Sequence, residues 1–296
     1  MLQLLELGIV RPSSSPWAAN VVLSRKPDGS IRTCYDARKI NKVTKQDRFT
    51  LPRTQDLLRR FKGARYFSVL DCAAGFYGVP LTPDSCEKTA FITRFGLYEY
   101  TCMPFGLVNA PATYQRLMSL VMGNLQWRCV CVYVDDCCVY SPTWEQHLKD
   151  LDEVLSRLQQ SGVNLKLSKC SFGQQQVRYL GLQLSGDGHS TDPNNLTSVV
   201  NMAPPSNPSE LRSFMGLLNY YRQYVPHFAD IAEPLNALLR YAPSDSTPNR
   251  AKAKGKKQTS SKRDTKFQPQ PWTWTEVHQK AFEQLKQLLL QSPIIC

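Results

Sequence analysis

Two adjacent carboxylates, Asp135 and Asp136, carry the clearest chemical signal in the 296-residue sequence. They stand between two short apolar segments, a pattern that predicts a tight β-hairpin with both acids at its tip. Burying two neighbouring acids is costly, so a bound divalent cation is a specific reason for keeping them together. Carboxylate oxygens are the ligands that Mg²⁺ takes, and two such ions can clamp the attacking and leaving oxygens of phosphoryl transfer. An ordinary polar turn is the competing interpretation of this pair.

A third acid, Asp71, ends another predicted β-strand. The small residues Ala73, Ala74 and Gly75 follow it, and small side chains let backbone N–H groups approach a phosphate. An aromatic residue, Phe76, comes directly after them. By itself, an Asp at the end of a strand before a turn is common. Combined with the hairpin, it predicts a site with one acid on a strand end and two acids on a neighbouring hairpin.

A second predicted hairpin carries one cation on each arm. Its turn is Pro27-Asp28-Gly29, and Lys26 and Arg32 flank that turn. Such a hairpin could fold over a triphosphate, with the lysine acting as a point charge and the arginine as a two-pronged donor. Solvated surface cations are the alternative interpretation.

The elements that must position these residues are visible in the hydrophobic pattern. Segments of β-branched and aromatic residues alternate with amphipathic helical segments, which predicts a mixed α/β or α+β fold. Strands are predicted at residues 19–25, 66–71, 128–134, 137–141 and 179–184. Helices are predicted at residues 111–121, 145–162, 207–225 and 275–291.

The charge of the chain is concentrated in one segment. The net charge is +12, but residues 250–266 contain eight basic residues and one acidic residue, which leaves only +5 elsewhere. The basic pI is therefore weak support for a nucleic-acid surface on the folded part. Residues 241–270 are rich in Pro, Ser, Lys and Gln, which predicts a disordered basic linker. No apolar run approaches the ~18 residues needed to span a bilayer, so no membrane partner is expected.

The ten cysteines include no CxxC pair, and the four histidines have no cysteine at zinc-ligand spacing. This pattern favours free thiols in a reducing compartment over disulfides or a zinc site. It predicts an intracellular protein, and it does not distinguish a cytoplasmic particle from the nucleus.

A series of motifs along residues 8–239 resembles a known family, the reverse transcriptases of gypsy-type (Metaviridae) LTR retrotransposons. The motifs, in chain order, are GIVRPSSSPW (8–17), KPDG (26–29), RTCYD (32–36), FSVLD (67–71), KTAF (88–91), MPFGL (103–107), NAP (109–111), YVDD (133–136), KCSF (169–172), YLG (179–181) and ELRSF (210–214). Each is short, but their order and spacing together are specific.

The resemblance implies an α+β right-hand polymerase with an antiparallel palm sheet. Fingers and palm would occupy residues 7–184 and the thumb residues 185–240. The linker at 241–270 would lead to residues 271–296, which are similar to the start of an RNase H-like domain whose catalytic acids would lie beyond Cys296. No protease, integrase or zinc-knuckle motif is present, so the chain resembles a fragment of a longer polyprotein.

The resemblance also implies a role for each site residue. Asp71, Asp135 and Asp136 would be catalytic and, with the Cys72 backbone carbonyl, would hold two Mg²⁺ ions, for which Mn²⁺ is a possible substitute. The incoming dNTP would contact Lys26, Arg32, Ala74, Gly75, Phe76 and Phe105, with Phe76 excluding a ribose 2′-OH. Tyr179, Leu180 and Gly181 would form the primer grip. The expected activity is RNA-directed DNA synthesis on a primer annealed to an RNA or DNA template.

Two departures from the family pattern qualify this expectation. The run Ala74-Gly75-Phe76 stands where Ser-Gly-Tyr is usual, and Gly78 stands where a Gln is usual, which makes turnover less certain than fold. One alternative is a catalytically silent retroelement remnant that only binds nucleic acid. Another is a different two-metal enzyme such as a nuclease, although Phe76 and the Lys26/Arg32 hairpin argue against it.

Overall fold

The computed structural model describes residues 2–25, 29, 31–72, 75–241 and 272–291. The chain divides into two compact units. Unit 1 comprises Met1–Leu180 and Leu184–Gly186, and unit 2 comprises Gly181–Gln183 and Asp187–Cys296. Among the residues described, no helix is long and apolar enough to cross a membrane.

Unit 1 mixes helices with antiparallel strands, as the sequence predicts. Its elements are α1 (Leu2–Glu6), β1 (Val10–Pro12), β2 (Val21–Arg25), β3 (Ile31–Tyr35), α2 (Arg38–Val43), α3 (Thr54–Arg60), β4 (Tyr66–Asp71), α4 (Pro83–Cys86), β5 (Phe91–Thr93), β6 (Gly96–Tyr100), α5 (Ala110–Met122), β7 (Val130–Tyr133), β8 (Asp136–Ser141), α6 (Trp144–Gln160), β9 (Ser171–Gln174) and β10 (Gln176–Tyr179). Strand β11 (Leu182–Ser185) stands where the chain passes from unit 1 to unit 2.

The central sheet of unit 1 has four strands in the order β7-β8-β4-β9. Strands β4 and β8 pair antiparallel over their whole length, from Tyr66 opposite Ser141 to Asp71 opposite Asp136. Because side chains alternate between the faces of a strand, Leu70 points to the face opposite that of Asp71. Leu70 is fully buried in the apolar core beside α5 and α6. The burial of that face sets the register that brings the two aspartates together.

The N-terminal part of unit 1 contains two smaller sheets. Strands β2 and β3 form the antiparallel hairpin expected from the Pro-Asp-Gly turn. Strands β1, β6 and β5 form a three-stranded sheet in that order. Tyr35 of the hairpin packs edge-on against Tyr100 of the three-stranded sheet, at a ring-centroid distance of 5.9 Å, so one small aromatic core holds both.

Unit 2 is mainly helical. It contains β12 (Gly188–Thr191), α7 (Pro193–Val200), α8 (Pro208–Tyr220), α9 (Phe228–Tyr241) and α10 (Glu276–Leu290). The rings of Phe214 in α8 and Phe282 in α10 lie 4.6 Å apart and are both buried. Lys286 of α10 also donates to the backbone oxygen of Met202 at 2.8 Å, so α10 packs as part of unit 2. Assignment of residues 271–296 to an RNase H-like domain stays a prediction.

Three predicted boundaries need correction. The strand predicted at residues 179–184 is wrong, because Leu180 and Gly181 have φ of 49° and 73° and break it into β10 and β11. The helix predicted at 207–225 ends at Tyr220 and gives way to a short 3₁₀ turn. The linker predicted from residue 241 begins no earlier than 242, because Tyr241 still belongs to α9. Residues 242–271 lie outside the described residues.

Candidate active site

The three predicted acids meet at one end of the central sheet. Asp71 is the last residue of β4, and Asp136, the first residue of β8, is directly opposite it. The Cα atoms of such directly opposite pairs are about 4.5–5.5 Å apart. Asp135 lies in the turn before β8, and its carbonyl accepts a hydrogen bond from the backbone N–H of Cys72 at 3.3 Å. Strand pairing alone therefore brings together carboxylates that are 64 and 65 residues apart in sequence.

The hairpin that carries Asp135 has a strained turn. Tyr133 pairs with Asp136, leaving a two-residue turn in which Val134 has a φ of 53°. A β-branched residue rarely adopts this conformation, so neighbouring contacts must hold it. Gln115 on α5 supplies them: its Oε1 accepts from the Val134 N–H at 2.7 Å, and its Nε2 donates to the Val132 carbonyl at 3.2 Å. Gln115 was not predicted from the sequence, because it belongs to no recognisable motif.

The charges at this sheet end are unbalanced. Burial raises the pKa of Asp135, and the carboxylates of Asp136 and Asp71 raise it further. Burial and Asp71 likewise raise the pKa of Asp136. Lys169, which follows α6 in the chain, opposes both shifts and forms an ion pair with Asp71 at 3.0 Å. Lys169 stands in the KCSF motif, but the sequence analysis gave it no role.

The donor set suits a hard cation. Oδ1 of Asp135 is buried and has no hydrogen-bond partner among the described residues. An unpaired carboxylate oxygen beside two further carboxylates favours a bound cation, because the cation would relieve both the desolvation and the repulsion. In the described part of the chain, no three acidic, His or Cys side chains already form a preformed metal cluster. The carboxylates would therefore have to converge further around an ion.

The predicted nucleotide-pocket residues Gly75, Phe76 and Phe105 lie together. The Phe76 ring is buried, 4.9 Å from the ring of Phe105, and edge-on to Tyr114 at 5.6 Å. Gly75 has no room for a side chain, because a Cβ there would lie 2.6 Å from the Tyr114 hydroxyl and 2.8 Å from Oδ1 of Asp135. The glycine therefore lets the backbone approach the acids closely.

Three other predicted nucleotide contacts are only partly visible. Lys26 and Ala74 lie outside the described residues. The backbone of Arg32 belongs to β3, opposite Ser24, but its side chain is outside the description. The hairpin that would present Lys26 and Arg32 is present, and their contacts with a triphosphate stay predictions.

The predicted primer grip divides into a buried residue and a turn. Tyr179 is 2% exposed, and its hydroxyl donates to the carbonyls of Cys131 at 3.4 Å and Asp136 at 3.5 Å. It thus holds the backbone of the hairpin that carries Asp135 and Asp136. Leu180 and Gly181 form the half-buried turn that follows. The contact of this turn with a primer stays a prediction.

A cleft of about 850 Å³ in unit 1 combines basic and aromatic side chains. Its lining includes Arg53, Arg59, Arg60, Phe49 and Trp127, and the Arg60 guanidinium lies 5.7 Å from the centre of the Trp127 ring. Cations interleaved with aromatic rings are typical of surfaces that bind nucleic-acid strands. The charge distribution along the sequence had given only weak support for such a surface.

Comparison with curated proteins finds transposon polyproteins. The chain is 34% identical to the retrovirus-related Pol polyprotein from transposon 297 of Drosophila melanogaster, over 99% of this chain and 26% of that protein. It is 34% identical to the corresponding polyprotein from transposon opus of the same fly, over 80% of this chain and 24% of that protein. The Tf2-3 polyprotein of Schizosaccharomyces pombe is 29% identical, over 98% of this chain and 20% of that protein. The chain thus spans between 20% and 26% of the length of these relatives.

Comparison with solved structures finds the protease-reverse transcriptase of foamy virus. Its dRH form in complex with double-stranded DNA has a TM-score of 0.85 and 25% identity, covering 99% of this chain and 47% of that chain. Its complex with an RNA/DNA hybrid has a TM-score of 0.80 and 25% identity, covering 99% of this chain and 36% of that chain. The fold is therefore the α+β right-hand polymerase fold, with an antiparallel central sheet. The predicted boundaries of fingers and palm, thumb and RNase H-like segment stay predictions.

A family match completes the comparison. Residues 24–184 match the family described as reverse transcriptase (RNA-dependent DNA polymerase). The matched segment covers more than half of the chain and includes the three converging aspartates and the aromatic pocket beside them. The chain therefore belongs to the reverse transcriptase family.

Proposed function

We propose that this chain is the polymerase part of a gypsy-type retrotransposon polyprotein and that it performs RNA-directed DNA synthesis. The observation that carries the proposal is the convergence of Asp71, Asp135 and Asp136 beside the Gly75–Phe76 pocket. A nuclease would use the acids without such a pocket. In the reaction, the 3′-OH of a primer attacks the α-phosphate of a dNTP, and pyrophosphate leaves.

Reverse transcriptases generally depend on divalent metals, and the acids of this chain suit that requirement. Asp71, Asp135, Asp136 and the backbone carbonyl of Cys72 would hold two Mg²⁺ ions, or Mn²⁺ in their place. When bound, such ions neutralise the charge that develops on the phosphate oxygens and favour the ionised hydroxyl. The unpaired Oδ1 of Asp135 supports this assignment.

The pocket residues would orient the nucleotide. Gly75 allows the backbone to approach the acids, so that its N–H and that of Ala74 can face the phosphates. Phe76, held by Phe105 and Tyr114, would pack under the sugar and leave no room for a 2′-OH. Lys26 and Arg32 would contact the triphosphate from the β2–β3 hairpin.

The partners would be dNTPs and a primer annealed to an RNA or DNA template. The structurally similar foamy virus enzyme was solved with double-stranded DNA and with an RNA/DNA hybrid. In this chain, the basic and aromatic cleft around Arg59 and Trp127 is suited to the template strand. The nine cysteines of the described residues are free thiols, which favours a reducing compartment inside the cell.

Primer extension tests the proposal. Purified chain, an RNA template with a DNA primer, dNTPs and Mg²⁺ should give extended primer. Asp135→Asn should reduce the rate at least about 1,000-fold, because the anionic ligand that would hold the charge-neutralising divalent ions is lost. Asp152→Asn, an exposed acid on α6, is the matched control and should extend like wild type.

Two outcomes would overturn the proposal. An Asp135→Asn variant that extends as well as wild type would remove the acids from the mechanism. A wild-type chain that binds primer–template in a filter assay but never extends it would identify a catalytically silent remnant that only binds nucleic acid.

A further inference from the structure

Two buried polar atoms beside the proposed catalytic centre have no hydrogen-bond partner among the described residues. They are the hydroxyl of Tyr114 and Oδ1 of Asp135. Leaving such a group unpaired costs about 1–3 kcal/mol, so folded proteins rarely retain two of them side by side without a reason. Tyr114 is 1% exposed, which excludes bulk water as its partner.

The two atoms face each other across one glycine. A Cβ on Gly75 would lie 2.6 Å from the Tyr114 hydroxyl and 2.8 Å from Oδ1 of Asp135. These two distances place the atoms at most about 5.4 Å apart. At that upper limit a single water molecule can bridge the two atoms, and a shorter separation would allow a direct hydrogen bond after rotation of the carboxylate. The Cys72 thiol interacts with the same hydroxyl and is the competing partner for it, but sulfur is a weak acceptor and a carboxylate a strong one.

Helix α5, which carries Tyr114, also binds the backbone of the β7–β8 hairpin. The side-chain amide of Gln115, the residue after Tyr114 on α5, donates to the Val132 carbonyl and accepts from the Val134 N–H. Tyr114 is placed to bind the side chain of the next residue along the turn, Asp135. Its ring also packs edge-on against Phe76 at 5.6 Å, so its position is set from both sides.

We propose that Tyr114 is a positioning residue: its hydroxyl donates a hydrogen bond to Oδ1 of Asp135, directly or through one water, and thereby directs the other carboxylate oxygen toward the reaction. This inference rests on the proposed function, because Asp135 matters only if it is one of the acids that hold divalent ions. Tyr114 itself touches no substrate in this role. Its effect on the reaction passes entirely through Asp135.

Tyr114→Phe tests the proposal, because it removes the hydroxyl and retains the ring that supports Phe76. The Mg²⁺ concentration at half-maximal primer extension should rise about tenfold, as expected for the loss of one hydrogen bond to a charged group. A readout that needs no turnover is Mn²⁺ binding, followed by electron paramagnetic resonance. The sample would be the full chain with a dideoxy-terminated primer–template and the next dNTP. Mn²⁺ affinity should fall by a similar factor.

Tyr140→Phe is the matched control. Tyr140 is a buried tyrosine of the same sheet, and its hydroxyl donates to the Trp127 carbonyl at 2.9 Å, away from the acids. Its loss should leave both metal titrations unchanged, even if the unfolding temperature falls. Equal Mn²⁺ affinity and equal Mg²⁺ dependence in Tyr114→Phe and wild type would overturn the proposal.

The two readouts also separate this inference from the proposed function. If wild type does not extend primers but loses Mn²⁺ affinity on Tyr114→Phe, the proposed function fails and the positioning role stands. If wild type extends primers and Tyr114→Phe behaves identically, only the positioning role fails. A wild-type complex that binds no Mn²⁺ contradicts both.

Discussion

Strands β4 and β8 carry two polar clusters that differ in how their hydrogen bonds are satisfied. At one end of the pair, the carboxylates of Asp71, Asp135 and Asp136 lie together, and one buried oxygen remains unpaired. Toward the other end lies a cluster we call the buried relay, formed by Ser68, Ser141, His147 and Asp150. All four relay residues are at most 5% exposed.

The buried relay is a continuous series of hydrogen bonds. The Oγ of Ser68 lies 2.8 Å from Nε2 of His147, and Nδ1 of His147 lies 3.3 Å from the Oγ of Ser141. Ser141 donates to Oδ2 of Asp150 at 2.7 Å, and Gln146 donates to Oδ1 of Asp150 at 2.9 Å. A neutral imidazole with its proton on Nδ1 satisfies every member of this series, so we assign that tautomer.

The contrast separates a structural polar cluster from a functional one. In the relay, the protein itself supplies each partner, so the cluster stabilises the packing of α6 on the sheet. At the acidic end, repulsion and an unpaired oxygen remain, which the fold tolerates because a ligand can relieve them. The four predictions below test this contrast, in order of decreasing effect.

Gly75→Ala should damage the acidic end most. The new Cβ would lie within 2.8 Å of Tyr114 and of Oδ1 of Asp135, so it must displace the carboxylate that we propose holds the divalent ions. A displacement of about 1 Å costs roughly 100-fold in kcat/KM, which primer-extension kinetics would measure. Gly78→Ala, in the same short turn, is the control, because a Cβ there meets nothing within 4 Å. Comparable losses in both variants would contradict this steric account.

Asp150→Ala should lower the stability of the fold and leave the rate of primer extension nearly unchanged. The change leaves Ser141 and Gln146 without their acceptor, so the free energy of unfolding should fall by about 2–3 kcal/mol. Chemical denaturation would measure this loss, and primer extension at low temperature should stay within a few-fold of wild type. Asp152→Ala on the exposed side of the same helix should be close to neutral. A large catalytic loss in Asp150→Ala would show that the relay also serves the reaction.

His147 in the buried relay should make the free energy of unfolding depend on pH. Burial lowers the pKa of His147, while Asp150 acts in the opposite direction. The unfolded chain therefore binds more protons than the folded chain below about pH 6.5, and the free energy of unfolding falls as pH drops through that range. We expect a loss of at most about 2 kcal/mol between pH 7 and pH 5, the limit for one histidine that stays neutral in the folded chain, measured by urea denaturation.

His147→Gln isolates this contribution, because burial also lowers the pKa of His189. The variant should be less stable at pH 7 but should show a shallower loss toward pH 5 than wild type. His227→Gln, an exposed histidine, should retain the wild-type slope. An unchanged slope in His147→Gln would contradict the neutral tautomer.

Asp136→Asn should stabilise the fold slightly while it impairs catalysis. Burial and the directly opposite Asp71 raise the pKa of Asp136, so its ionised form is unfavourable in the folded chain. Without divalent ions at pH 7, the free energy of unfolding should rise by about 0.2–1 kcal/mol. The gain should shrink as the pH falls through the raised pKa of Asp136, because the folded wild-type chain takes up this proton before the unfolded chain does. A loss of stability at pH 7 would show that Lys169 already compensates the charge.

Local sequence patterns were sufficient to predict the three acids and their strands. They were insufficient to predict the residues that hold those acids in place. The YVDD hairpin and the strand ending at Asp71 were predicted because each rests on short-range alternation and turn chemistry. Gln115, Tyr114 and the buried relay were not predicted, because their partners are distant in sequence. Ser68 and His147, for example, are separated by 79 residues. The strand predicted over 179–184 failed because apolar alternation does not reveal the positive φ at Leu180.

The amino-acid sequence by itself determined the class of fold, the family resemblance and the identity of the three acids. These follow from hydrophobic periodicity and short motifs, which depend only on residues that are close together in the sequence. Only the tertiary structure decided that Asp71 faces Asp136, that Gly75 brings Tyr114 toward Asp135, and that the relay is complete while the acidic end is not. Hydrogen-bond satisfaction depends on distances between side chains from different elements, and those distances exist only after strand register and helix packing are set.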